Sequence, residues 1–176
     1  MTRHDKPRGQ AMVEFALVIP IFILLMVALF DFGRVIWVND TLATAAREAA
    51  RYAIVHGGSA TTLCPAGPPG PDSQVPATDC PPYPNGTAYP TGSREAIKDV
   101  ARRWASSTGN LTVSVCYGVV TTCANDADQV TTPAPTNERG TQVTVTVSAL
   151  VDLSVPSLVG FSGFNLSASS TMLVNH

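Results

Sequence analysis

The sequence predicts an α+β fold in which one long N-terminal transmembrane α-helix precedes a small domain with a three- to four-stranded antiparallel sheet. Three observations predict it: an uncharged apolar run near the N-terminus, a helical pattern that continues this run, and apolar–polar alternation with a period of two in the last third of the chain. The 176 residues include 13 acidic and 11 basic side chains. Because this balance leaves no excess of positive charge for a polyphosphate partner, nucleic-acid binding is not expected.

The apolar run, Phe15–Phe30, predicts a membrane span. As a helix, its sixteen residues extend about 24 Å, less than the hydrocarbon core of about 30 Å, so neighbouring residues must complete the span. We therefore expect a transmembrane helix over 10–38. Residues 1–9 carry three basic side chains against one acidic side chain, and such a short basic leader is expected to stay in the cytoplasm. The C-terminal domain is then extracytoplasmic.

The helical pattern continues through 39–56 as an extension of the N-terminal helix. Its apolar stripe consists mainly of alanine: Leu42, Ala45, Ala46, Ala49, Ala53 and Ile54. Because no proline or glycine separates this stretch from the membrane segment beyond Gly33, we expect one helix over Ala11–Val55. The alanine stripe has two interpretations: it lets a second helix approach closely, or it lies on the sheet of its own domain.

Residues 57–176 are expected to form the extracytoplasmic α+β domain. Its first part, the loop 58–92, is rich in proline and has no regular pattern. Helical spacing then predicts a short helix over Arg94–Ser107, with Ser93 as its N-cap. Period-two alternation predicts three strands, over 111–119, 141–153 and 164–174.

All four cysteines follow the apolar run: Cys64, Cys80, Cys116 and Cys123. An even number in an exported segment is consistent with two disulfides. Four cysteines allow three pairings, and we prefer the local one, in which Cys116 bonds Cys123 at the end of the first strand. Cys64 would then bond Cys80 and close part of the proline-rich loop.

The sequence offers no group of residues suited to catalysis. The three histidines, His4, His56 and His176, lie in the leader, after a helix and at the last position, so none is placed beside a nucleophile. Asp126 and Asp128 have the spacing of two calcium ligands but lack the third ligand and the glycine that such a loop needs. We therefore expect no enzyme activity, no cofactor and no metal site.

The junction between the leader and the apolar run carries the one distinctive motif. Gly9 is followed by Gln10, then by Glu14 and Phe15 at the start of the apolar helix. The pattern G-x-x-x-x-E-[FY] before such a helix resembles the processing site of type IV prepilins. In combination, GQAMVEFALVIPIF, DFGRV, AAREAARYA, VTVTVSALVDL and LSASSTMLV resemble TadE-like proteins, the minor pilins or pseudopilins of tight-adherence (Tad, Flp) pilus systems.

The resemblance implies a function and a role for each residue of the junction. It implies a pilin-like domain, a role in Tad-type pilus assembly, and cleavage by prepilin peptidase between Gly9 and Gln10. Glu14 and Phe15 would serve assembly and recognition, with other pilin subunits, the pilus assembly machinery and the membrane as partners. The protein would be a single-pass membrane protein with a cytoplasmic N-terminus that can enter a cell-surface pilus.

One alternative from a different class stays open at this stage. The chain could be a permanently anchored surface adhesin or binding module, whose disulfide-stapled proline-rich loop makes the contacts. This alternative gives Glu14 no role, whereas the pilin interpretation depends on it. An anchored hydrolase is a third option, for which the sequence nominates no residues.

Overall fold

The structure, a computed structural model, describes residues 8–57, 94–119, 123, 137–153 and 163–175. Within these ranges the elements are α1 (Arg8–Val55), α2 (Glu95–Trp104), β1 (Leu111–Tyr117), β2 (Gln142–Val151) and β3 (Phe164–Leu173). The three strands form one sheet in the order β1-β2-β3. The expected α+β fold is confirmed, with three strands in the described part. The loop 58–92, with Cys64 and Cys80, lies outside the described residues.

The chain divides into two compact units. The first consists of Met1–Trp37 and Val151–Phe164, and the second of Val38–Leu150 and Asn165–His176. Helix α1 therefore contributes to both units, since it is unbroken across Trp37 and Val38.

Helix α1 has 48 residues, a length of about 72 Å at 1.5 Å per residue. It begins three residues before the predicted start and ends at the predicted Val55. Pro20 lies inside it and has no N–H to donate to the carbonyl of Ala16, yet the helix continues on both sides. The last turn is closed by the His56 N–H, which donates to the Tyr52 carbonyl at 3.1 Å, and Gly57 follows outside the helix.

The alanine stripe of α1 is buried inside the second unit. Its fully enclosed side chains are Leu42, Ala45, Ala46, Ala49, Ala50 and Ala53. Of the two interpretations left open by the sequence, the structure therefore favours the stripe packing within its own domain. Small side chains suit this role because they let the backbone of a helix come close to its neighbours.

The sheet is antiparallel, as the alternation predicted. In the register of β1 and β2, Val113 lies opposite Val147 and Val115 opposite Val145, and all four side chains are buried. Strand β3 carries no fully buried residue. The sheet core is therefore concentrated in β1 and β2.

Helix α2 packs against β1, and its apolar face buries Ala96, Ile97 and Ala101. The expected N-cap is wrong by one position, because Arg94 occupies the cap and makes no side-chain capping bond. The Arg94 guanidinium instead lies over the ring of Tyr117, 5.8 Å from its centroid. A cation above an aromatic face is a favourable contact, and here it joins the start of α2 to the end of β1.

The local cysteine pairing is present in the structure. Cys116, in β1, forms a disulfide with Cys123, and the two Cα atoms are 5.6 Å apart. The bond closes the chain just after β1, as the spacing of these two cysteines suggested.

Candidate functional site

The N-terminal half of α1 presents a continuous apolar surface. Most large side chains along it are more than half exposed, including Phe15 (66%), Phe22 (58%) and Phe30 (76%). In the described part of the chain, α1 is the one helix long and apolar enough to cross a membrane. Its exposed apolar half and its buried alanine half therefore have different surroundings, the first suited to lipid or to other apolar helices.

Glu14 is the one charged residue between Arg8 and Asp31. It is exposed, and Gln10 lies four residues earlier in the same helix, also exposed. Residues four apart lie on one face of a helix, about one turn from each other. The fold thus places Gln10 and Glu14 on a common face, with Phe15 beside Glu14.

Gly9 lies in the first turn of α1 and is exposed. Apart from the adjacent residues and the nearby backbone of its own helix, no atom lies within 4 Å of the position where a side chain would begin. Proteases bind the backbone of a substrate in an extended form, whereas Gly9 is helical here. Because the first turn of a helix has N–H groups without intrahelical partners, unwinding it there sacrifices few hydrogen bonds.

Asp31 differs from most residues in the N-terminal half of α1, because it is largely shielded from solvent. It is buried, at 9% exposure, and the half-buried Val27 and Val35 lie four residues to either side. A spacing of four defines one stripe along the helix, so these three residues form a stripe that is less exposed than the rest of this half. Burial keeps the Asp31 carboxylate away from lipid, where a charged group is costly.

Arg34 contacts the second segment of the same unit. Its Nη1 donates a hydrogen bond to the carbonyl oxygen of Asp152 at 3.2 Å, just after the end of β2. This contact was not predicted. The partner lies 118 residues away along the chain, and no sequence pattern indicated it.

The far end of α1 carries His56, the one histidine in the described residues. Its ring stacks on Tyr52, with 3.8 Å between the ring centroids, and Nδ1 lies 2.9 Å from the Tyr52 carbonyl oxygen. Burial lowers the pKa of His56 below 6.5, and the hydrogen bond to Tyr52 offsets only part of this effect. The ring is thus held neutral, with Nδ1–H as the donor.

The described ranges contain no group of three His, Cys, Asp or Glu side chains placed to hold a metal ion. Helix α2 does carry a charged cluster, in which Glu95 contacts Lys98 at 3.0 Å and Arg102 at 3.2 Å. Burial alone would raise the pKa of Glu95, but hydrogen bonds and attraction from these two cations outweigh it and lower the pKa below 4.5. The cluster is a partly exposed ion-pair network on one helix.

Comparison with known families shows which segment of the chain resembles TadE-like proteins. Residues 9–51 match the sequence model of the family described as TadE-like protein. This segment is TadE-like. The match covers the exposed apolar half of α1 and most of its alanine stripe, and it includes Gly9 and Glu14. No curated protein and no solved structure matches the chain.

The TadE-like match covers 43 of the 176 residues, about a quarter of the chain. The matched segment contains the one helix of the described chain that can span a membrane. The remainder, with α2, the sheet and the Cys116–Cys123 disulfide, lies outside the match.

Proposed function

We propose that this protein is a minor pilin or pseudopilin that takes part in Tad-type pilus assembly. The observation that carries the proposal is the exposed carboxylate of Glu14, within the apolar N-terminal half of a TadE-like helix. A membrane anchor alone has no need of this carboxylate, because an apolar residue at position 14 would insert more favourably.

Processing would give Glu14 its partner. Cleavage between Gly9 and Gln10 by a prepilin peptidase would leave an α-ammonium group on Gln10, one helical turn from Glu14. In a bundle of such helices, the carboxylate of one subunit can then pair with the ammonium group of the next. A buried ion pair of this kind contributes little net stability but selects one register, since every other register leaves a charge uncompensated.

In this proposal the helix is inserted in the membrane with the basic leader in the cytoplasm. The domain with the sheet is extracytoplasmic, where the Cys116–Cys123 disulfide is chemically stable. Partners are other pilin or pseudopilin subunits, the assembly machinery and the prepilin peptidase.

Substitution of the carboxylate tests the proposal. Glu14→Gln keeps the shape of the side chain but removes its charge, so we expect normal membrane levels of the chain and a severe loss of surface filaments. Asp40→Asn is the matched control, because Asp40 is an exposed carboxylate on the same helix. Filaments in the sheared fraction and N-terminal sequencing of the membrane fraction are the two measurements.

The two measurements test processing of the leader and the assembly role of Glu14 separately. A mature chain that starts at Gln10 supports processing, and an intact leader contradicts it. Normal filaments with Glu14→Gln would contradict the assembly role and favour the permanently anchored adhesin instead.

A further inference from the structure

One end of the sheet is bound to α1 within the first unit. Asp152 follows β2 directly, and its carbonyl accepts the hydrogen bond from Arg34. Gly163, just before β3, packs so closely on the end of β2 that a side chain there would begin 2.5 Å from the carbonyl oxygen of Val151. The end of β2 therefore meets the helix at the level of Arg34, and the start of β3 lies against the end of β2.

Arg34 marks a particular depth along the helix. It lies four residues after Phe30, the end of the uncharged run, which is about 6 Å along the axis. Since the run itself spans about 24 Å of a hydrocarbon core of about 30 Å, Arg34 falls at the outer boundary of the core. Trp37, which is 52% exposed, follows at the position that interfacial aromatic residues favour.

The chain that follows Asp152, an exposed carboxylate at this sheet end, has the uncharged composition of a lipid-facing segment. No Asp, Glu, Lys or Arg follows Asp152 in the sequence. Leu153 is half-buried, and the Phe164 ring is 40% exposed next to Gly163. Bulk water would favour charged side chains at such an exposed end, whereas the headgroup region accommodates an aromatic ring and uncharged polar groups.

We propose that this end of the sheet, which we call the boundary edge (Asp152, Leu153, Gly163 and Phe164), rests on the outer surface of the bilayer. Phe164 enters the boundary between headgroups and acyl chains. The occupant is a lipid surface and needs no anionic headgroup, because Arg34 is engaged with the backbone at Asp152. The inference rests on the proposed membrane insertion of α1 and adds a second, independent lipid contact from the domain.

Tryptophan fluorescence in the full chain, reconstituted in phosphatidylcholine vesicles, tests the contact. Trp37→Phe and Trp104→Phe remove both native tryptophans, and Phe164→Trp then reports on the boundary edge. We expect lipids brominated near the carbonyl end of the acyl chain to reduce its emission more than lipids brominated near the methyl end. A probe at Phe22→Trp, inside the apolar run, should show the opposite order.

The two probes distinguish failure of this inference from failure of the anchor. If Phe22→Trp is quenched but Phe164→Trp responds only to an aqueous quencher, the boundary edge does not touch lipid and the inference is overturned. If neither probe is quenched by brominated lipid, membrane insertion of α1 fails as well.

A change at Arg34 tests the contact that positions the edge. Arg34→Gln should reduce the lipid quenching of the Phe164→Trp probe, since the bond to the Asp152 carbonyl is lost. The matched control is Arg47→Gln, whose native guanidinium donates to the Ala43 carbonyl of its own helix at 3.1 Å. Equal quenching in both variants would show that Arg34 does not hold the edge at the bilayer.

Discussion

At the scale of single residues, His56 is the group whose ionisation the fold controls. Burial lowers its pKa below 6.5, so the folded chain prefers the neutral ring, while the unfolded chain binds a proton more readily. The stability that this contributes is complete above pH 6.5 and is lost as the pH falls from that value through the lowered pKa. Folding should therefore weaken on mild acidification.

The prediction is checked with the free energy of unfolding of the detergent-solubilised chain, measured between about pH 7 and about pH 5. His56→Gln removes the titrating ring and keeps a hydrogen-bond donor, so the slope of stability against pH should decrease in this variant. Because the pKa of Glu95 is lowered below its usual 4.5, Glu95 contributes little in this window. An unchanged slope in His56→Gln would contradict the assignment.

The residues of the N-terminal junction could be identified from the sequence because they form a short, continuous motif. Gly9, Gln10, Glu14 and Phe15 lie within seven consecutive positions, and helical periodicity alone places Gln10 and Glu14 on one face. The Arg34–Asp152 contact joins residues 118 apart, and no periodicity carries information over that separation. The roles of the four junction residues in processing and assembly stay predictions.

At the scale of elements, alternation and helical spacing located all five elements with small errors at their ends. β1 and β2 stop two residues before their predicted ends, and β3 stops one residue short. The shift of the α2 cap has a physical cause that no propensity describes, because Arg94 is held above Tyr117 by tertiary packing. Sequence patterns therefore fix the type of each element, while contacts between elements decide its ends.

The alanine stripe of α1 gives a prediction at the scale of the element. Ala49 is fully buried, so Ala49→Leu must force a larger side chain into a packed interior and should destabilise the second unit by about 1–3 kcal/mol. Ala43→Leu is the control, because Ala43 lies on the same helix and is only half-buried. Chemical denaturation followed by Trp104 fluorescence, in a Trp37→Phe background, measures both variants. Equal midpoints would mean that the stripe is not tightly packed.

At the scale of the whole molecule, the order of the segments follows from the way in which charge and hydropathy are distributed. A basic leader, an uncharged run and a helix with alternating charges succeed one another within the first 56 residues. This order could be predicted because each segment is judged by its own composition. The division into units could not, since the first unit joins Met1–Trp37 to Val151–Phe164, and such pairing depends on the folded chain.

Orientation in the membrane provides the last prediction. Arg3 and Lys6 supply most of the positive charge of the leader, and the excess of basic residues is what keeps a short leader in the cytoplasm. Arg3→Glu with Lys6→Glu should therefore invert a fraction of the molecules, while Arg8 and Gly9 stay intact. The Cys116–Cys123 disulfide reports the outcome, because a domain retained in the cytoplasm keeps its thiols reduced.

Alkylation with a maleimide polymer before reduction, in a Cys64→Ser/Cys80→Ser background, then distinguishes the two orientations on a gel. We expect the native leader to give an unmodified, oxidised chain and the acidic leader to give a fraction with two modified thiols. Arg47→Glu with Arg51→Glu, which makes the same charge change in the helical extension, should leave the disulfide intact because these residues lie beyond the span. Free thiols in the chain with its native leader would place the domain on the cytoplasmic side and contradict both the orientation and the pilin proposal that depends on it.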